Sequence, residues 1–263
     1  MNSLQERIAE RKVNNGEIAI WWLGGSGFVF KTSCGTICYI DPYLSNSVEA
    51  MFNQGRAFAP PILPEEVRAD IIVSTHWHED HLDPGTIPGI VKQNPAVTLI
   101  MPPSAMAHAI HWGIPRQNIQ ALTTGQKITV ADMVIEHTPA RHDAGIVGWE
   151  VPDAMGVFLH AEGRTVYHSG DTEYDIRLRK LKSQRPDVAM VCINGTGGNM
   201  NAHEAALLVW QLDAPVVVPM HHLIWAGNPS DDQATLDPQL FADTYRRLGG
   251  TGRVVLPVVG GEI

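Results

Sequence analysis

A short segment of the chain carries four side chains that can bind metal ions. From Thr75 the sequence reads Thr-His-Trp-His-Glu-Asp-His, so His76, His78, Asp80 and His81 lie within six residues of one another. In extended backbone, residues two apart point to the same side, so the first two histidines can offer ring nitrogens to one ion. Asp80 and His81 can face a neighbouring ion where the chain turns. This spacing predicts a metal site.

Three further candidate ligands follow predicted strands. His142 comes after the predicted strand 133–137, Asp171 after 165–168 and His221 after 216–220. The ends of separate strands can converge on one point of a sheet edge. A histidine-rich surface loop is the plain alternative, but it would not place companions so regularly at strand ends. The pattern therefore favours a site for two ions.

These motifs resemble those of the metallo-β-lactamase superfamily. The residues that carry the resemblance are His76-x-His78-x-Asp80-His81, His142, Ser169-Gly170-Asp171-Thr172 and Met220-His221. Three other stretches are similar to the UlaG-type L-ascorbate-6-phosphate lactonase branch, namely Trp22 to Phe28, Tyr39 to Tyr43, and Met200-Asn201-Ala202. The resemblance implies an α/β fold, a four-layer αββα sandwich, with metal-dependent hydrolase activity.

The resemblance also implies a role for each ligand. It places His76, His78 and His142 on one metal. It places Asp80, His81 and His221 on the other, with Asp171 as a bridge between the two. Asp41, at an earlier strand end, resembles a buried aspartate of the family that orients a ligand histidine from behind.

The expected chemistry is hydrolysis. Two divalent ions ~3.5–4 Å apart can share a hydroxide that attacks at neutral pH. In this hypothesis Asp80 and Asp171 are the catalytic carboxylates that hold the pair in register, and the substrate is a lactone similar to L-ascorbate 6-phosphate. Mixed imidazole and carboxylate ligands suit zinc, manganese or iron. Two Mn²⁺ or Zn²⁺ ions are the expected cofactors, and the lactonase resemblance favours manganese.

Candidates for substrate contacts lie beside the ligands. Arg141 precedes His142 and is the basic candidate for an anionic small-molecule substrate, with a surface salt bridge as the alternative. Asn201 and Trp225 are further candidates, and Asn228 could line the same pocket. Asn201 also forms a capping-box pattern with the glutamate three residues later, which predicts a helix start.

Several other histidines need an interpretation. His222 follows His221, but consecutive side chains point apart, so only one of them is expected to be a ligand. His137 competes with His142 and is interpreted as a structural histidine of a strand. His203 could approach the metals or simply begin its helix. The remaining histidines are expected on a solvated helix face or in hairpin packing, namely His108, His111, His160 and His168.

Alternating elements must position these residues. Helices are predicted at 4–12, 104–112, 203–212 and 238–248, with one more starting at Asp83-Pro84, where Asp83 caps. Predicted strands are 18–23, 28–30, 36–40, 71–73, 97–101, 127–130, 133–137, 157–160, 165–168, 188–193, 216–220 and 253–258. Gly24 to Gly27 is interpreted as a tight hairpin, and 51–64 as a long irregular loop. Meanders followed by strand–helix alternation predict two packed sheets with helices outside.

Composition limits the class of protein. With 263 residues, 44% of them hydrophobic, the chain is expected to form a single domain over 1–263. No apolar run approaches the ~18 residues that a membrane span needs, and the polar start lacks a signal sequence. A cytoplasmic protein that does not enter membranes is expected. Its three cysteines form no paired framework and are expected to be reduced.

Charge and motif pattern separate the competing functions. A net charge of −9 argues against nucleic acid as a partner, because that binding depends on lysine and arginine. A small-molecule phosphodiesterase is the enzymatic alternative, and a metal-stabilised scaffold is the non-enzymatic one. A redox di-iron protein would carry a carboxylate in place of His78. The apolar loop 57–63 and the family resemblance favour a homo-oligomer.

Overall fold

Two β-sheets pack face to face and carry helices on their outer faces. The structure is a computed structural model that describes residues 2–143, 148–222, 224–226 and 236–263. In these ranges the first sheet has six strands, in the order in which they occur in the chain. They are β1 (Ala19–Gly24), β2 (Gly27–Lys31), β3 (Ile37–Ile40), β4 (Ile71–Val73), β5 (Thr98–Met101) and β6 (Ile119–Ala121).

The second sheet repeats the pattern of the first. Both begin as antiparallel meanders and continue as parallel strands, from β3 onward in the first sheet and from β10 onward in the second. The strands of the second sheet are β7 (Lys127–Val130), β8 (Met133–Pro139), β9 (Met155–Ala161), β10 (Arg164–His168), β11 (Val188–Cys192), β12 (Val216–Met220) and β13 (Arg253–Val254).

Helices cover both outer faces. Those of the described residues are α1 (Leu4–Glu10), α2 (Ser47–Phe52), α3 (Ile87–Gln93), α4 (Pro103–His111), α5 (Ala202–Leu212) and α6 (Pro238–Arg247), with 3-10 helices at Pro64–Glu66, Arg116–Asn118 and Ile176–Gln184. Together the layers form the four-layer αββα sandwich, which confirms the predicted fold class. None of the described helices has both the length and the apolar character needed to cross a bilayer.

Neighbouring side chains of β1 show how a strand serves two cores. Ile20 and Trp22 belong to the core between the sheets, whereas Trp21 and Leu23 belong to the core beneath the helices of the first sheet. Successive strand residues point to opposite faces, so this alternation follows from strand geometry. All six residues of β1 are buried, as expected of a strand covered on both sides.

The predicted helix at Asp83-Pro84 begins later than expected. Helix α3 starts at Ile87, and Asp83 does not cap it. The buried Asp83 carboxylate instead accepts hydrogen bonds from the backbone of Ser45 at 3.0 Å and from the hydroxyl of Ser47 at 2.6 Å. It thereby anchors the loop after β3, and this long-range use of the carboxylate is invisible in the local pattern.

Other boundaries also differ from the prediction. The segment 51–64 is not wholly irregular, because α2 extends to Phe52. Strand β13 ends at Val254 rather than at 258, and β6 and the 3-10 helix Ile176–Gln184 were missed. The two strands concerned are short and lie at sheet edges, where pairing with a single neighbour defines them more than apolar patterning does. The tight hairpin at Gly24–Gly27 is confirmed.

The C-terminal ends of three strands that precede candidate ligands lie at one edge of the sandwich. Strands β8, β10 and β12 run in the same direction, since β8–β9 and β9–β10 are antiparallel and β10 to β12 are parallel. Their C-terminal ends therefore share one edge and are followed by His142, Asp171 and His221. The loop after β4 joins this edge through a 2.9 Å hydrogen bond from the backbone N–H of Met155 to the carbonyl of Thr75.

The close approach at this edge requires glycine at position 170. A Cβ there would lie 2.5 Å from the carbonyl oxygen of Met155 and 3.1 Å from Cβ of Thr75, and the backbone φ is +59°. We expect Gly170→Ala to lower the free energy of unfolding by about 3 kcal/mol. Gly163→Ala is the matched control, with φ +72° and open space around the added Cβ, and should cost about 1 kcal/mol.

Urea denaturation in the presence of a chelator measures both variants without a contribution from bound metal. Equal losses in the two variants would show that backbone conformation alone, and not the close approach, sets the requirement for glycine at position 170.

Candidate metal centre

Three histidines converge at the shared edge. His76 and His78 lie in the loop after β4, and His142 follows β8. The His76 Nε2 lies 2.9 Å from the His78 Nδ1, and the His142 Nε2 lies 3.2 Å from that same Nδ1. The first two histidines do not lie in extended backbone, as the sequence argument assumed, because the chain bends throughout this loop. They meet by using different ring nitrogens.

Hydrogen bonds behind these rings determine which nitrogen faces inward. His78 Nε2 is 2.9 Å from the carbonyl of Trp149, and His142 Nδ1 is 3.2 Å from the carbonyl of Gly198. Both partners only accept, so these outward nitrogens carry the protons. His76 Nδ1 likewise faces the hydroxyl of Thr75, whose own proton goes to Asp41. Three inward lone pairs therefore converge with no proton between them, which fits a bound cation.

A second group of ligands lies next to the first. Nε2 of His81 is 3.3 Å from Nε2 of His221, which in turn is 3.3 Å from a carboxylate oxygen of Asp80. The three ligand atoms of this group lie within 4.8 Å of one another. His221 has φ +56°, a conformation that few non-glycine residues adopt, and its backbone N–H donates to the carbonyl of Gly25 at 2.9 Å. The hairpin turn between β1 and β2 thus holds this ligand.

Asp171 lies between the two groups. One of its carboxylate oxygens is 3.3 Å from Nε2 of His81, and the other is 3.3 Å from Nε2 of His221 and 3.9 Å from Nε2 of His142. The side chain is 5% exposed. It therefore contacts members of both groups, as a bridging ligand would.

The two groups differ in electrostatics. Burial, reinforced by neighbouring imidazoles, holds the pKa of His76 well below its usual value and lowers that of His78 to about 4. Burial also opposes charge on His221, but the carboxylates of Asp171 and Asp80 outweigh it and raise its pKa to about 10. For the same reason the pKa of His81 is raised well above its usual value. Cationic charge is thus favoured where the carboxylates lie.

Asp41 lies behind the clustered histidines. Its buried carboxylate accepts hydrogen bonds from the backbone N–H of Thr75 at 2.7 Å and from the Thr75 hydroxyl at 2.7 Å. It also lies 2.8 Å from Nδ1 of His81, so that ring nitrogen is the protonated one and Nε2 faces the site. The structure thus places Asp41 where the resemblance implied, behind a ligand histidine.

A cavity of about 420 Å³ opens beside the two groups. Besides ligand residues, it is lined by Trp149, Asn194, Thr196, Gly197 and Asn199. None of these five residues was predicted from the sequence. Four of them lie in the loop between β11 and α5. The available signal was a glycine-rich stretch, Asn194 to Asn199, directly after a buried strand, since strand-end loops commonly form binding sites.

The predicted substrate contacts lie away from this cavity. The Arg141 side chain is half exposed and pairs with Asp143 at 3.1 Å and with Glu173 at 3.7 Å. The Asn201 side chain accepts from two backbone N–H groups as the cap of α5, which confirms the predicted capping box. Trp225 packs against Tyr43, with ring centroids 5.9 Å apart. None of the three lines the cavity in the described chain, and Asn228 lies outside the described residues.

The other histidines do not join the ligand groups formed by the described residues. His203 is exposed and pairs with the hydroxyl of Thr244, and His137 is buried within β8. His222 is buried with its ring 5.2 Å from that of Trp22. His108 stacks on Trp77 rather than facing solvent freely.

Comparison with known proteins identifies the class. Residues 19–221 match the model of the beta-lactamase superfamily domain, and the chain belongs to the metallo-β-lactamase superfamily. It is 27% identical over 271 residues to a probable L-ascorbate-6-phosphate lactonase, UlaG, of Escherichia coli strain SMS-3-5, covering 88% of this chain and 76% of that protein. The predicted superfamily and UlaG-like character are thereby confirmed.

Solved structures share the fold. Igni18, a metallo hydrolase from the archaeon Ignicoccus hospitalis, superposes with a TM-score of 0.68 at 23% identity, over 94% of this chain and 97% of that one. CmlA, a diiron β-hydroxylase from Streptomyces venezuelae, superposes with a TM-score of 0.70 at 15% identity, over 92% of this chain and 53% of that one. With the family match, the protein is a metal-dependent hydrolase whose histidine and aspartate clusters fit a divalent metal site.

Removing the charge of Asp41 tests its orienting role. In Asp41→Asn, we expect the affinity for Zn²⁺ or Mn²⁺ to fall by about 10- to 100-fold, because the amide holds His81 and Thr75 less firmly. Titration against a chromophoric chelator measures the change. Asp153→Asn is the control, since Asp153 binds Ser104 at the start of α4, away from the ligands, and its metal affinity should be unchanged. An unchanged affinity in the Asp41 variant would contradict the orienting role.

Proposed function

We propose that this protein is a two-metal hydrolase that opens sugar lactones. The observation that carries the proposal is the pair of ligand groups at one sheet edge with Asp171 between them. One metal would be held by His76, His78 and His142, and the other by Asp80, His81 and His221, with Asp171 bridging. Imidazole and carboxylate ligands of this kind suit Mn²⁺ or Zn²⁺.

The reaction divides between the metals and the carboxylates. When bound, two divalent ions would make water in the site more acidic and would polarise an ester carbonyl. Asp80 and Asp171 both line the cavity, with side chains 16% and 5% exposed. In this proposal Asp80, the more exposed of the two, takes a proton from the attacking water and returns it to the ring oxygen as the ring carbon–oxygen bond breaks. The new bond joins the water oxygen to the carbonyl carbon.

The lactone specificity is supported by similarity rather than by geometry. The UlaG relatives are named as probable L-ascorbate-6-phosphate lactonases, and the alignment covers most of both chains. A two-metal site can also hydrolyse small phosphodiesters, because the same ions stabilise a phosphoryl group. A direct comparison of ester types therefore decides the activity.

Metal content tests the ligand assignment. Plasma emission on the purified protein, equilibrated with Zn²⁺ or Mn²⁺, should find about two ions per chain, in keeping with a two-ion site. His142→Ala should lose most of one ion, because it removes a third of one ligand group. His203→Ala should retain both, since His203 lies away from the ligands. Equal metal content in all three proteins would refute the assignment of His142.

Turnover tests the reaction type. We expect lactones to be hydrolysed and bis-p-nitrophenyl phosphate to be a poor substrate. Comparing turnover of L-ascorbate 6-phosphate with turnover of unphosphorylated sugar lactones measures the substrate specificity. Asp171→Ala should lower kcat/KM by at least about a hundredfold, because the bridge aligns both ions. Addition of a chelator should abolish turnover, and adding back metal should restore it. Turnover of the diester alone would assign the protein to the phosphodiesterases instead.

A further inference from the structure

The cavity beside the metal centre has a wall that holds no metal ligand. Asn194, Thr196, Gly197 and Asn199 form it, and Trp149 adds an aromatic ring. The first four lie in the loop between β11 and α5, at the same edge as the ligands. Small polar groups beside an aromatic ring are typical of sites that bind and orient a small molecule.

Asn194 presents an unused hydrogen-bond acceptor. Its side chain belongs to a residue only 8% exposed, and its Nδ2 donates to the carbonyl of Thr196 over 3.5 Å. Its Oδ1 has no hydrogen-bond partner among the described residues. A buried acceptor without a donor is costly, so a bound molecule that supplies a hydroxyl hydrogen would stabilise this wall.

Asn199 presents a second such acceptor. Its Nδ2 donates to a carboxylate oxygen of Asp171 at 2.6 Å. Because a carboxylate only accepts, this contact determines which end of the amide faces Asp171. Its Oδ1 also has no partner in the part of the chain that the structure describes. The wall therefore contains two buried amide oxygens without a donor, beside the reacting centre.

The wall offers no positive side chain. None of the 19 lysines and arginines of the chain lines this cavity in the described ranges. The undescribed segments 144–147, 223 and 227–235 contain no lysine, arginine or histidine in their sequence. A phosphate group carried on the substrate, away from the metals, would therefore meet no lysine or arginine of the described residues at this wall.

The arginines of a neighbouring groove are already paired. Arg141 and Arg177 line a separate groove of about 300 Å³ that shares His142 with the cavity. Arg141 pairs with Asp143 and Glu173, and Arg177 pairs with Asp175. Carboxylates thus neutralise both guanidinium groups, which leaves this groove without an excess of positive charge.

We infer that the cavity selects an uncharged, hydroxyl-bearing lactone, with Asn194 and Asn199 accepting hydrogen bonds from its hydroxyl groups. The inference rests on the proposed function, because the lactone carbonyl must reach the metal centre. It narrows the substrate class to unphosphorylated sugar lactones. Trp149 supplies the apolar side of the cavity, against which the carbon skeleton of the ring packs.

Three lactones of one ring size test this specificity. They are a polyhydroxylated sugar lactone, its terminal phosphate ester, and the corresponding lactone without hydroxyl groups. With the metal-loaded wild-type protein, we expect kcat/KM for the hydroxylated lactone to exceed that for each of the others by at least about tenfold. In Asn194→Leu, kcat/KM for the hydroxylated lactone should differ from kcat/KM for the hydroxyl-free lactone by no more than about threefold.

Binding provides a readout that does not depend on turnover. Calorimetric titration with the ring-opened hydroxy acid should show at least about tenfold weaker binding to Asn194→Leu than to wild type. Circular dichroism and metal content establish that the variant is folded and loaded. Arg141→Gln is the control, and neither its binding of the acid nor its preference among the three lactones should change.

Each contrary outcome has a distinct meaning. The inference would be overturned if the wild-type protein preferred the phosphate ester and Arg141→Gln raised the KM for that lactone alone. That result would assign phosphate binding to the neighbouring groove. Equal turnover of all three lactones, or unchanged ratios and binding in Asn194→Leu, would overturn it while leaving the lactonase proposal intact. Hydrolysis of none of them by the metal-loaded protein would remove the proposed function itself.

Discussion

The buried carboxylate of Asp41 is the interaction on which the metal centre depends. It accepts both the N–H and the hydroxyl proton of Thr75, and it binds Nδ1 of His81. The same Thr75 hydroxyl then accepts from Nδ1 of His76. One carboxylate thus sets the orientation of a histidine in each ligand group. Asp41 has φ +47°, and its three hydrogen bonds help to offset the cost of that conformation.

Packing between the sheets makes this arrangement rigid. The core between them joins residues of both, including Trp22 and Phe28 of the first sheet and Val157 of the second. Closely packed interiors resist displacement, so the strand ends at the shared edge keep their spacing. The ligands lie on loops, but two of these loops are tied to the same edge, as by the hydrogen bond between Met155 and Thr75. Functional loops on a rigid scaffold are placed accurately for this reason.

The site combines three environments within a small volume. The group of His76, His78 and His142 is buried and favours neutral imidazole, whereas the carboxylates around His81 and His221 favour positive charge. The cavity wall beyond them is polar but uncharged. The first two environments suit metal ions, which replace protons on the ligand side chains when they bind. The third suits recognition of hydroxyl groups. In the proposed function, metal binding and recognition of hydroxyl groups would be divided between different residues.

The sequence by itself determined which residues could form the metal centre. The ligand types cluster too closely to be ordinary surface residues, and His142, Asp171 and His221 each follow a predicted strand. The family resemblance, rather than local pattern, then favoured His221 over His222. The two-sheet architecture followed from the same strands. The capping box of α5 also follows from the sequence, because capping depends on residues only three apart.

Only the tertiary structure decided how those residues are used. The bent loop after β4 brings His76 and His78 together through different ring nitrogens, which no periodicity reveals. Asp83 anchors a distant loop instead of capping a helix, and Arg141 turns to Asp143 and Glu173 instead of the cavity. The amide wall of Asn194 and Asn199 has no distinctive motif. Each of these depends on partners far apart in the chain, and local sequence carries no information about which distant groups will meet.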